Sequence, residues 1–211
     1  MYFGSKIFGR AYFLRDIYNR LKFGPLAPKS YEGILINPRE CKLSIHSKYI
    51  ADIPPNYSSA LVVDKWPLER AVPVVDLPRV NFCIRHRMKN EKWEKVGAYN
   101  RLRKKISNNE ISDHGIETEK EILIRYEKLD HIFNQIKKEG RLKSQSELSE
   151  GNFREKGGVL IHIGPNGEPY FGLKGNHRFA IAYILNIPFP AQIGLVHKSS
   201  VNRIEYMRLK C

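Results

Sequence analysis

The chain has 211 residues, of which 42% are hydrophobic and 11% aromatic, and its net charge is +14. This composition is too apolar for a disordered chain, and no run approaches the roughly 18 apolar residues that a membrane-spanning helix needs. The excess of Lys and Arg favours anionic partners, without saying whether these are nucleic acids, membrane surfaces or phosphorylated and acidic small molecules.

The three cysteines, Cys41, Cys83 and Cys211, lie far apart and form no Cys-x-x-Cys pair. Cys83 and His86 are three residues apart, but no second pair of ligands accompanies them. The pattern therefore predicts reduced thiols in a cytoplasmic protein, and it argues against a structural zinc site.

The N-terminal segment mixes apolar and aromatic side chains with cations over residues 2–23. It lacks the uninterrupted apolar core and the cleavage site of a signal peptide. A basic amphipathic helix fits this pattern, and two interpretations of it stay open. Either the helix packs on the rest of the protein, or it contacts a membrane peripherally through residues 2–22.

Prolines interrupt the chain repeatedly between residues 24 and 78, which excludes a long helix there. Short strands are predicted at Gly33–Ile36 and Ala60–Val63. Alternating apolar side chains predict one more short strand, at Val80, Phe82 and Ile84.

A basic helix is predicted over Ala98–Ile106, followed by a polar, turn-rich stretch at residues 107–115. This stretch is the best internal boundary in the sequence. It separates a basic, proline-punctuated accessory region, residues 1–110, from a core at residues 116–198 and a tail at residues 199–211.

The core begins with a long helix. Thr118 and Glu121 have the spacing of a capping box, and Gly140 supplies the end of the helix. Apolar side chains recur at helical spacing between them, at Ile122, Tyr126, Leu129, Phe133 and Ile136.

A hairpin and a second helix follow this long helix. A polar link leads to a strand at Val159–Ile163, a turn at Pro165-Asn166-Gly167 and a returning strand at Glu168–Phe171. A glycine loop then opens an apolar helix, His177–Leu185, and a strand at Ala191–Val196 closes the core. This order of elements predicts an α+β fold.

Positively charged side chains lie at the N-terminus of the helix that follows the glycine loop, where the helix dipole makes positive charge unfavourable. Lys174, His177 and Arg178 surround a helix N-terminus that its own peptide dipoles already make positive. Unpaired N–H groups at such an end bind anions, so the pattern indicates a bound anion, with phosphate the first candidate. Gly175 permits a close backbone approach, and Asn176 is a favoured N-cap.

A purely structural interpretation of the same residues also stays open. In it, Asn176 only caps the helix, His177 bonds a carbonyl, and Arg178 pairs with Glu155 or Glu168.

The run Gly172-Leu173-Lys174-Gly175-Asn176-His177-Arg178 resembles the nucleotide-binding segment of the ParB/sulfiredoxin superfamily, and Ala180, Ala182 and Pro190-Ala191 extend the likeness. The resemblance covers about residues 120–197. It implies a small mixed sheet with packed helices, to which the basic N-terminal region is an extension. Family members bind nucleotide phosphates at this segment: ATP in sulfiredoxins, CTP in ParB proteins, and ADP or ATP in free-serine kinases.

Departures from the family narrow what the resemblance implies. Asn176 stands where sulfiredoxins carry their nucleophilic cysteine, and residues 198–211, which follow the region of resemblance, show no helix-turn-helix pattern. The remaining implication is an ATP-dependent kinase of a hydroxyl on a small molecule or sugar-like acceptor. The expected ligand is ATP, ADP or CTP with Mg²⁺. A ParB-like nucleic-acid-binding or nuclease module and a membrane-surface scaffold are the alternatives.

The kinase hypothesis assigns roles to individual residues. His177 and Arg178 would clamp phosphates together with Gly172, Lys174, Gly175 and Asn176, and His177 is also a catalytic candidate. Asp130 borders the apolar face of the long helix and is either a catalytic base at a pocket rim or a surface carboxylate. No direct metal ligand is assigned. The loop after Gly140 contains Lys143, Ser144 and Gln145. These residues either approach the nucleotide or form a plain polar linker.

Overall fold

A mixed sheet of seven strands forms the centre of the protein in a computed structural model that describes residues 12–108, 110 and 115–208. The strands are β1 (Gly33–Ile36), β2 (Leu43–Ser44), β3 (Val62–Val63), β4 (Val72–Pro73), β5 (Val159–Ile163), β6 (Pro169–Phe171) and β7 (Phe189–His197). The helices are α1 (Tyr12–Phe23), α2 (Ser47–Ala51), α3 (Pro78–Met88), α4 (Ala98–Ser107), α5 (Glu119–Glu139), α6 (Gln145–Leu148) and α7 (Asn176–Leu185). The fold is therefore α+β, as the sequence predicts.

Strands from both halves of the chain build this one sheet. Its order is β1-β7-β5-β6-β2-β4, with β3 pairing in parallel to the end of β7. β7 runs parallel to β5 and antiparallel to β1, where Gly33 lies opposite Gln192. The proline-rich N-terminal region thus supplies edge strands on both sides of the β5–β6 hairpin and shares the sheet with residues 116–198.

The long helix and the hairpin have the predicted structure. α5 begins with a capping box between Thr118 and Glu121, and Gly140 ends it in the left-handed conformation with a φ of 69°. The first four of the five residues of the predicted apolar face are buried, and β5 has the predicted bounds. β6 returns antiparallel to β5, as expected of the turn at Pro165-Asn166-Gly167.

The strand predicted at Val80, Phe82 and Ile84 is wrong, because these residues belong to helix α3. Pro78 occupies the first helical turn, where its fixed φ and missing N–H are tolerated. Val80 and Cys83, three residues apart, are the buried positions, so the helical period applies here and not the alternation of a strand.

Apolar side chains cover both faces of the sheet. On one face, Phe179 of α7 stacks on Phe171 at 4.4 Å between ring centroids and meets the edge of Phe189 at 5.8 Å. A smaller cluster on the other face includes Ile45 and Leu195. Every residue of β5 is buried. The nearly all-round apolar character of α7 thus reflects its position in the core.

The tail and the N-terminal segment are only partly described. A 3₁₀ helix, Lys198–Met207, buries Val201 and Ile204. The predicted boundary at residues 107–115 and the predicted N-terminal helix lie partly outside the described residues. Of the helices that are described, none is long and apolar enough to cross a membrane.

Candidate functional site

The predicted anion site lies at the start of α7. Gly175 occupies the N-cap with a left-handed φ of 79°, and no side chain caps the helix. Asn176 is therefore the first helical residue, which corrects the prediction that it is the cap. Its Nδ2 donates to the Leu173 carbonyl at 3.1 Å. The first-turn N–H groups consequently lack the side-chain acceptor that a capping residue would supply.

The two glycines of the loop are explained by packing within the chain. A Cβ on Gly175 would lie 2.9 Å from the Val159 Cα, and one on Gly172 would lie 2.8 Å from Leu160 Cδ2. The close backbone approach predicted for Gly175 is thus an approach to β5. It fixes the start of α7 against the first residue of that strand.

Two cations beside this helix end are partly withdrawn from water. Burial lowers the pKa of Arg178 and of Lys174, and the charge of Lys156 adds to the effect on Lys174. Arg178 donates through Nη2 to the carbonyl of Lys143, and its buried Nε has no hydrogen-bond partner among the described residues. Half-buried cations are stabilised by an anion. The carboxylates of Glu155 and Glu147 already oppose the effect of burial on Arg178, whereas Lys174 has the additional positive charge of Lys156 beside it.

The loop after Gly140 does lie next to Arg178. Ser144 caps α6 in a capping box with Glu147, so its hydroxyl is already engaged. The Gln145 N–H donates to Glu155 Oε2 at 2.8 Å. Lys143, besides its carbonyl, places its Nζ 3.9 Å from Glu139. The structure thus places Lys143, Ser144 and Gln145 beside Arg178 and Glu155. The contacts there are made mainly by backbone groups of this loop.

Glu155 is a buried carboxylate beside Arg178 that the sequence offered only as a structural partner. Glu155 is only 2% exposed. Burial raises the pKa of its carboxyl, and the positive charge of Arg178 partly opposes this effect. No hydrogen bond joins the two groups among those of the described residues, and Oε1 has no partner there. Glu168, the other partner considered, instead accepts from the Tyr170 hydroxyl at 3.1 Å.

A groove of about 390 Å³ separates α5 from α7 beside this helix end. That volume falls within the range of small-molecule sites. His177 and Arg178 line it from α7, and Arg125 and Lys128 line it from α5. One carboxylate, Glu121, also lines the groove. Its floor is apolar and consists of Ile116, Ile124, Leu129, Ile132 and Ile181.

Asp130 does not line this groove. At about 100° per helical residue, it lies about 200° around α5 from Lys128, on the opposite side of the helix. Its Oδ1 accepts from Trp93 Nε1 at 3.0 Å and from Arg87, and it lies 3.2 Å from His86 Nε2. The structure thus separates Asp130 from His177 and gives it the geometry of a link between α3 and α5.

Asp130→Ala is expected to lower the free energy of unfolding by about 1–3 kcal/mol, because it leaves the Trp93 and Arg87 donors without their acceptor. Urea denaturation measures this loss, and Glu127→Ala, an exposed carboxylate of the same helix, is the near-neutral control. Ligand binding in the groove should not change. A stability equal to that of the control would contradict the linking role.

Sequence patterns did not single out Arg125 or Lys128, and they indicated Glu155 only as a structural partner of Arg178. Arg125 and Lys128 are three residues apart and therefore share a helix face, which was the available signal. Nothing in the sequence indicated that this face lies across from the start of α7.

No family model, curated protein or solved structure matches the chain. The described residues also contain no group of three His, Cys, Asp or Glu side chains arranged to hold a metal ion.

Proposed function

We propose that this protein binds a nucleotide in the groove between α5 and α7. The observation that carries the proposal is the meeting of an uncapped helix N-terminus with a groove that has a cationic rim and an apolar floor. The N–H groups of a helix start without a side-chain cap, together with the helix dipole, suit phosphate oxygens, and the planar guanidinium of Arg178 suits two of them at once.

The two halves of the groove suit the two halves of a nucleotide. Phosphates would lie at the start of α7 with Lys174, His177 and Arg178. The base would lie against apolar side chains of the floor, such as Ile124 and Ile181. ATP, ADP or CTP with Mg²⁺ is the ligand class. The charge of the rim exceeds that of its one carboxylate, Glu121, which supports an anionic ligand.

The finer structural proposal is a ParB/sulfiredoxin-like core. It rests on the Gly172–Arg178 sequence and on the order helix, hairpin, glycine loop, helix, strand, here α5, β5–β6, α7 and β7. Both lie within residues 116–198.

Phosphoryl transfer to an acceptor hydroxyl is the activity proposed for this site. The acceptor oxygen would bond to the terminal phosphorus, the nucleoside diphosphate would leave, and a base would take the hydroxyl proton. Glu121 is poorly suited, because hydrogen bonds from the Glu117 and Thr118 N–H groups lower its pKa. Asp130 faces away. We therefore propose His177 as the proton acceptor.

Arg178→Ala is expected to weaken binding of Mg-ATP about 10- to 100-fold, the value of a lost charge-assisted hydrogen bond to phosphate. Isothermal titration calorimetry with Mg-ATP, ADP and CTP measures the change. Lys174→Ala should weaken binding less, since its ammonium has a single flexible point of contact.

Arg103→Ala is the matched control, because it removes an exposed arginine that pairs with Glu119 far along the chain from α7. Since Arg178→Ala also disturbs the Lys143 carbonyl, Arg178→Lys tests the same site while keeping the charge. Wild-type protein that binds none of the three nucleotides at millimolar concentration would overturn the proposal. Equal losses in the Arg178 and Arg103 variants would overturn its placement.

The nucleic-acid alternative gains little from the structure. Three arginines that contribute to the excess of positive charge form ion pairs within the chain: Arg85 with Glu91, Arg87 with Asp130, and Arg103 with Glu119 and Glu94. Their charge is partly neutralised, so we retain the nucleotide site as the proposal.

A further inference from the structure

Helix α1 faces the protein with its polar side. Arg15 and Asn19 are buried, and Asn19 Nδ2 donates to the carbonyls of Pro28 at 2.9 Å and Ala60 at 2.8 Å. Arg15 donates through Nη1 to the carbonyls of Tyr57 and Ser59. These bonds hold the helix in one rotation about its axis. The amphipathic helix predicted from the sequence thus packs on the protein, but by its polar residues.

The opposite side of α1 is apolar and exposed. Phe13 is 65% exposed and Leu21 is 83% exposed, and Leu14 and Ile17 are also exposed. At about 100° per residue, these four side chains occupy an arc of about 100°, centred roughly 150–190° from Arg15 and Asn19. Single exposed apolar side chains are ordinary, but four large ones in one arc are typical of a binding surface. We call them the α1 face.

Positive charge borders the α1 face on both sides. Arg20 and Lys22 are exposed and lie about 70° from its centre on one side and about 130° from it on the other. The one acid of the helix, Asp16, is paired with Arg154 at 2.9 Å. Cations that flank an apolar stripe can reach lipid phosphates while the stripe enters the acyl region.

Aromatic rings and cations also lie at the start of α1, about 150° around the helix from the centre of the α1 face. The rings of Tyr12 and Phe153 lie 5.2 Å apart, and that of Tyr31 lies 5.8 Å from Tyr12. The cations Arg154 and Lys156 lie over Phe153 and Tyr31. This cluster therefore packs the start of α1 on the protein, on the side away from the α1 face.

We propose that α1 docks this protein on the surface of an anionic lipid bilayer, with the α1 face inserted among the headgroups. Charge decides between this occupant and a second copy of the chain. A second copy carries the same net charge of +14 and the same basic border, whereas an anionic bilayer complements both. The proposal does not depend on nucleotide binding.

Flotation of the full chain with vesicles tests the docking. Wild-type protein is expected to float with equimolar phosphatidylcholine and phosphatidylserine, and to float less as salt increases. The double variant Phe13→Ser/Leu21→Ser should reduce the bound fraction at least roughly tenfold, because both side chains lose their burial in lipid. Arg20→Gln/Lys22→Gln should reduce binding only to the anionic vesicles.

Matched variants control for the loss of apolar area and of charge elsewhere. Met88→Ser/Tyr206→Ser removes two exposed apolar side chains, and Lys137→Gln/Lys138→Gln removes two exposed cations of α5. Both should float like the wild type. The proposal is overturned if the wild type does not float with anionic vesicles, or if the α1 variants float like their controls. Self-association in sedimentation that Phe13→Ser/Leu21→Ser abolishes, without flotation of the wild type, would assign the α1 face to a second copy.

Discussion

Gly194→Ala is expected to lower the free energy of unfolding by about 3 kcal/mol or more, since there is no space for a methyl group at this position. Its Cβ would overlap His162 Nδ1, and it would lie 2.7 Å from His162 Cε1 and 3.0 Å from the Ile161 carbonyl. His162 is fully buried and accepts the Leu195 N–H at 3.0 Å, so the ring has little freedom to move. Urea denaturation of the variant measures the loss.

A second substitution separates this overlap from any general effect of alanine in the strand. Adding His162→Ala removes the ring that the new methyl would strike, so the double variant should be less destabilised than the sum of the single ones. Gly151→Ala is the control, because its φ of 73° is strained but nothing lies within 4 Å of the added atom. It should cost about 1 kcal/mol. Wild-type stability of Gly194→Ala would refute the packing described for His162.

Local patterns in the sequence predicted the elements whose residues carry their own signals. The capping box and the left-handed glycine bound α5 at both ends, and β5 was found at its predicted residues. These signals act over a few residues, through hydrogen bonds to backbone groups and through periodic burial. They therefore require no knowledge of the rest of the fold.

Features that depend on distant pairing could not be predicted in the same way. Asp130 has the same helical position in the sequence whether it faces a ligand or Trp93, and only the packing of α3 against α5 decides between them. The groove beside α7 likewise needs Arg125 and His177 on facing helices. Strands β1 and β3 join the sheet across more than a hundred residues.

Helix α1 shows a third limit of sequence patterns. Its apolar stripe predicted an amphipathic helix but could not say which side is buried. An apolar side usually packs inward because its burial is favourable. Here Arg15 and Asn19 find backbone carbonyls at Tyr57, Ser59, Pro28 and Ala60, and these hydrogen bonds compensate for burying polar groups.

The second large expected effect is a loss of stability at acidic pH, and it also depends on His162. Burial, with a smaller contribution from His46, lowers the pKa of the His162 imidazole in the folded protein to about 3, from an ordinary value of 6.5. The unfolded chain therefore binds a proton below pH 6.5 that the folded chain does not bind. The contribution of His162 to the free energy of unfolding is fully present above pH 6.5. On acidification it falls by about 1.4 kcal/mol per pH unit until the folded-state pKa is reached.

His162→Asn isolates this contribution, because the amide oxygen can accept the Leu195 N–H but takes up no proton. The variant should be less stable than the wild type at pH 7, because it leaves a cavity. The gap should narrow by about 1.4 kcal/mol per pH unit between pH 6 and pH 4.5. Urea denaturation at several pH values measures this slope, and the opposite contribution of Glu155, whose pKa burial raises, is common to both proteins.

His131→Asn, which removes an exposed histidine of α5, is the matched control and should keep the wild-type slope. Parallel stability curves for wild type and His162→Asn would show that the imidazole is protonated in the folded state. That result would also contradict the tight enclosure between Gly172 and Gly194, since a charged ring would need water or a counter-ion that this packing excludes.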